Sequence, residues 1–78
     1  DEVIKVIITA YVFAQFEVAC YTALLTAAKR VGDHHAIHAL EAMLAEERGM
    51  ADWLLHHQPT IVGQFLHRAD LPGVEAGK

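Results

Sequence analysis

The residues of this chain that could do chemistry are three acids and a group of histidines. Glu17 lies in AQFEVACY, residues 14–21, and is the single charged side chain between Val6 and Ala28. A carboxylate in apolar surroundings costs on the order of several kcal/mol, or takes up a proton, unless a cation or hydrogen-bond donor meets it. Three accounts of Glu17 compete: a residue in a membrane-crossing helix, a satisfied polar core residue, or a metal ligand. Glu46 and Glu47 form an adjacent pair later in the chain, and Glu47 interrupts an otherwise apolar stripe. His34, His35 and His38 cluster with Glu41, and His34 and His38 have the i,i+4 spacing of two zinc ligands on one helix face. Zinc needs three or four ligands and no second pair is evident, so solvated histidines or adventitious metal uptake is the better reading there.

Two helices must position these groups. The first is expected from about Glu2 to Arg30, with Asp1 as cap, Glu2 at the positive end of the helix dipole, and Lys29 and Arg30 at the negative end. Gly32 is the stop and Asp33 a good cap for the second helix, expected from about His34 to His57, with Pro59 ending it. The short connection makes an antiparallel hairpin over residues 1–58. Residues 59–78 read as one short helix, with Thr60 as cap and Ile61, Phe65 and Leu66 as its apolar face, then a tail after Leu71-Pro72-Gly73.

The second helix carries Ile37, Leu40, Leu44, Glu47, Ala51 and Leu54 in alternating threes and fours, the seam of a bundle, with Glu41, Arg48 and Asp52 opposite. The first helix is apolar nearly all round, which one partner helix cannot cover. Hydrophobic residues make up 54% of the 78, so the hairpin needs more protein or a bilayer. The Val6–Ala28 stretch is long enough to span a membrane. Against that stand Glu17, Gln15 and three threonines within it, and an amphipathic neighbour helix. A soluble four-helix bundle is the better account: two such hairpins, or this hairpin with a missing N-terminal half. The opening DEVIKV has the look of a trimmed chain.

In the hairpin, Glu17 and the Glu46-Glu47 pair stand equally far from the turn and therefore at the same height. Facing carboxylates in a core repel unless one is protonated or a cation lies between them. Bundles holding di-iron or di-manganese centres use inward carboxylates of this kind, and polar structural layers do so as well. A net charge of −4 argues against a nucleic-acid binder, which would normally show a basic patch. The one cysteine, Cys20, rules out an internal disulfide and suits a reducing compartment. No phosphate loop, catalytic triad or nucleotide fingerprint is present, and the reading leans away from an enzyme.

QFEVACYTALLTAAKRVGD followed by LEAMLAEERGMADWL resembles the C-terminal half of the bacterial ferritin-like stress proteins typified by YciE and YciF. That family tends to read E-H-Y-E-I-A-x-Y on its third helix and L-L-x-x-x-L-x-E-E-K on its fourth. The resemblance implies an all-α, ferritin-like four-helix bundle, often dimeric, in a cytoplasmic protein of poorly defined stress-related role. It implies a carboxylate metal site in some members, for iron or manganese with ferroxidase or peroxide-handling chemistry. Glu17, Glu46, Glu47 and Tyr21 carry over by position. Ala14 and Gln15 stand where the family has an acid and a histidine, and Ala51 where a further acid commonly follows. No Glu-x-x-His motif occurs at either acid, so one copy falls short of a full di-iron set. Two hairpins about a two-fold axis would offer two Glu17 and two Glu47. The expectation is therefore half of a bundle completed by self-association, structural or weakly metal-binding, with Glu17, Glu47 and Glu46 as the metal-ligand candidates.

Overall fold

The computed structural model of the protein describes residues 2–70. They form an all-α hairpin of two long helices, α1 (Glu2–Val31) and α2 (His34–Asp70). The expected Asp1 cap and the tail after Leu71 lie outside the described residues.

The turn forms as its residue types demand. Gly32 takes φ +71°, a left-handed conformation that glycine adopts without a Cβ penalty. With the chain so turned, the Gly32 amide donates to the Lys29 carbonyl at 3.3 Å and the Asp33 amide donates to the Ala28 carbonyl at 3.1 Å. These paired bonds satisfy two of the open carbonyls in the last turn of α1. Asp33 then caps α2: its Oδ1 accepts from the Ala36 amide at 3.1 Å, and its carbonyl accepts from Ile37 at 2.9 Å.

α2 does not stop at His57. It runs through Pro59 to Asp70, so residues 59–70 belong to the second helix instead of forming a separate short one. Proline lacks the amide that would bond the Leu55 carbonyl, a loss worth about 3 kcal/mol in a helix interior. Two features offset it. Pro59 and Leu55 are both exposed, so water can reach the orphaned carbonyl. Beyond the proline, Ile61, Val62 and Phe65 are half-buried, which rewards continuing the helix alongside the start of α1.

The packed face is thin. Ile7, Ala14 and Ala28 of α1 meet Leu44, Ala51 and Leu54 of α2, and these six are the buried side chains among the described residues. Alanines at this contact let the backbones approach closely. The α2 seam read from the sequence is the observed one, with Ile37, Leu40 and Glu47 half-buried between its buried members. The hairpin measures 62 × 15 × 12 Å. Most of the apolar circumference of α1 faces outward, and α1 is long and apolar enough, by length and composition, to cross a membrane.

Candidate functional site

The site is built where the two apolar faces carry their acids. Glu17 lies at the middle of α1 and Glu47 at the same height on α2, and both are half-buried. Neither is fully enclosed; among the described residues no polar or charged side chain is buried in the hairpin. Tyr21, one turn beyond Glu17, joins them. A hydrogen bond to Glu17 raises the Tyr21 phenol above its ordinary value; partial burial and the negative charges of Glu17 and Glu47 add to the rise. Three groups chosen from the sequence, Glu17, Glu47 and Tyr21, are thus brought into one electrostatic neighbourhood.

Glu46 is placed differently. It is exposed and turns away from the seam, where it borders a shallow apolar hollow with Gly49, Met50 and Trp53. The indole of Trp53 stacks on His57 at 4.2 Å, and His57 Nδ1 donates to the Trp53 carbonyl at 2.9 Å. That pairing gives His57 a local structural partner one turn away.

A carboxylate metal centre needs more donors than this pair supplies. Among the described residues, no three His, Cys, Asp or Glu side chains are grouped to hold a metal ion. His34, His35 and His38 are all exposed at the start of α2, as is Glu41. Glu17 and Glu47 together provide carboxylates without a histidine, so a complete oxygen-donor set has to include groups from outside one hairpin.

On the other side of the hairpin lies a groove of about 480 Å³ lined by Thr22, Leu25, Lys29, Glu41, Leu44 and Arg48, among others. Its threonines are occupied locally: Thr22 Oγ1 donates to the Val18 carbonyl at 2.6 Å and Thr26 Oγ1 to the Thr22 carbonyl at 2.9 Å. This back-bonding makes a polar ladder on α1 where composition suggested a uniformly apolar helix. The Thr22–Thr26 spacing of four was its signal in the sequence. The Gly49 hollow had no comparable signal, because a glycine inside a helical pattern says nothing of what flanks it.

A family model described as "Domain of unknown function (DUF892)" matches residues 1–67, and the chain belongs to that family.

Proposed function

We propose that this member of the DUF892 family is half of a ferritin-like four-helix bundle, that it completes its core by self-association, and that it serves a structural, stress-related role with at most weak metal binding. The observation that carries the reading is the exposed apolar flank beside the half-buried pair Glu17 and Glu47. Val6, Phe13, Phe16, Leu24, Met50 and Trp53 are each more than half exposed, an apolar surface of the kind that a protein partner covers. Burying it encloses both acids with Tyr21 in a polar layer.

The second reading makes that layer a carboxylate-bridged di-iron or di-manganese centre. The same pair supports it: two hairpins would bring two Glu17 and two Glu47 together, an all-oxygen set suited to those ions, with Glu46 at the rim. A bound metal would supply redox chemistry toward iron or peroxide; the protein's part is to hold four carboxylates at one level and exclude bulk water. Cytoplasmic location accompanies the first reading.

Metal content per chain after anaerobic loading with iron or manganese and desalting, with Glu17→Ala alongside, separates the two. Near-stoichiometric metal in the parent and none in the variant selects the metal centre. No retained metal in either, with a dimer in sedimentation, selects the structural bundle. Monomers that join phospholipid vesicles would overturn both in favour of a membrane-associated hairpin.

A further inference from the structure

α2 carries a second seam beside its packed one. Met43, Glu46, Met50, Trp53 and His57 follow one another at spacings of three and four, a helix-packing line about 21 Å long. It runs about 100° of rotation to the side of Leu44, Ala51 and Leu54, which are buried against α1. Met50 and Trp53 on this line are each more than half exposed. Glu46, Gly49, Met50 and Trp53 line a hollow of about 400 Å³. Those four stand at i, i+3, i+4 and i+7, the arrangement that receives one side chain of a neighbouring helix in knobs-into-holes packing. Gly49 leaves the floor open, with no heavy atom within 4 Å of where its Cβ would be. The stack on His57 at 4.2 Å holds the Trp53 indole at one end of the hollow. Glu46 stands at the other end. Its neighbours three and four places away on α2 are Ala42, Met43, Gly49 and Met50, so its own helix offers this acid no cation.

We propose that this hollow is the docking site of an arginine carried on a partner helix. The inference rests on the covered flank proposed above and names the chemistry that the cover must present there. The hollow has walls on one side only, so a free small molecule in it would stay largely in water, whereas a helix laid along the 43–57 line supplies the missing side. Glu46 is the one carboxylate on that line. A helix that covers it must bring a cation or leave a charge enclosed without a partner. Arginine satisfies both ends of the hollow. Its guanidinium is planar and weakly hydrated, donates two parallel N–H bonds to a carboxylate, and stacks on an indole. Its methylene stem lies over Gly49 and against Met50. Lysine brings the charge as a strongly hydrated point that fits the indole less well. Glu46 thereby selects the partner, as one polar residue in an apolar seam sets register and partner choice.

Trp53 is the one tryptophan of the chain, so its emission reports on the hollow directly. Two soluble helical peptides serve as probes, built on an alanine–glutamine host with leucines along one face. They differ in one central residue, arginine or its uncharged isostere citrulline. Added to the full chain, the arginine peptide should shift Trp53 emission saturably, at a concentration about tenfold lower than the citrulline peptide requires. Glu46→Gln should erase that preference. Gly49→Leu, which fills the hollow from a position with open space around it, should weaken both peptides, with circular dichroism confirming that each variant is folded. Peptides that bind equally well, or a preference that survives Glu46→Gln, would overturn the arginine site and leave a helical cover standing. Free butylguanidinium acting at the same concentration as the arginine peptide would overturn the helix as occupant and give the hollow to a small guanidine. If neither peptide acts, acrylamide quenching of Trp53 separates the two readings. A shielded indole in a sedimenting dimer overturns this site alone; an open indole in a monomer overturns the covered flank as well.

Discussion

Three glycines in this chain should answer the same substitution with opposite signs. At Gly32, Gly49 and Gly63, a Cβ would meet no heavy atom within 4 Å, so steric contact plays no part in the outcome. What differs is the backbone. Gly32 has φ +71°, whereas Gly49 and Gly63 lie inside α2. Placing alanine in a left-handed conformation costs about 1–2 kcal/mol, and the stiffer unfolded chain returns about 0.4–1 kcal/mol. Gly32→Ala should therefore destabilise by about 1 kcal/mol, lowering Tm by about 4–8 °C for a domain of this size. Gly49→Ala and Gly63→Ala should each stabilise by about 0.5–1 kcal/mol, and the pair should add because the sites are far apart. Gly32→Asn should fall between Gly32→Ala and the parent, since asparagine tolerates the left-handed region. Thermal unfolding followed by far-ultraviolet circular dichroism reads all of these at a fixed protein concentration. If Gly32→Ala raised Tm, or Gly49→Ala lowered it with the oligomeric state unchanged, the assignment of the turn and of an uninterrupted α2 would be wrong.

Other outcomes follow from the same structure. Leu44→Ala removes the largest buried side chain near the centre of the contact and should cost about 2–5 kcal/mol, read as a fall in the urea midpoint; a loss below the Ile-to-Val range would place Leu44 outside the core. With Tyr11→Phe leaving Tyr21 as the one phenol, absorbance titration should find it ionising above its ordinary value, and Glu17→Gln should bring it down. Because the folded value is raised, the associated stability is whole below about pH 10 and is lost as pH rises through the folded value; a phenol indifferent to Glu17→Gln would dissolve the contact. Pro59→Ala should stabilise, by up to about 3 kcal/mol, by restoring the bond to Leu55. Unchanged stability would mean that the helix has a break at that point.

The hairpin itself was legible. Gly32 next to Asp33 gave stop and start together, because a left-handed residue and a side-chain cap each demand a narrow set of residue types. The α2 seam was legible because Glu41, Arg48 and Asp52 mark its wet side. The end of α2 was not, since the cost of a proline depends on whether the carbonyl it orphans is wet, and exposure is a property of the fold. Height matching placed Glu17 with Glu47 because rise per residue is fixed, whereas Tyr21 came from the family resemblance. Glu46 was harder. One residue from Glu47 is about 100° of rotation, enough to carry it out of the seam and onto the rim beside Trp53.

α1 shows why composition could not choose its surroundings. Its apolar residues cover nearly every direction, yet the hairpin buries Ile7, Ala14 and Ala28 alone on that helix. Hydropathy counts Phe13, Phe16 and Leu24 alike for a bilayer and for a protein partner. Their distribution is more informative. A bilayer is indifferent to direction around the helix and gives no reason for Lys29 and Arg48 to be gathered on one side of the hairpin. It would also leave Glu17 with Tyr21 as its main compensation at mid-helix. The proposed second hairpin would account for both: the polar side would stay in water, the apolar side would be covered, and the acids would meet at a common level where a proton, a phenol or a cation could settle their charge.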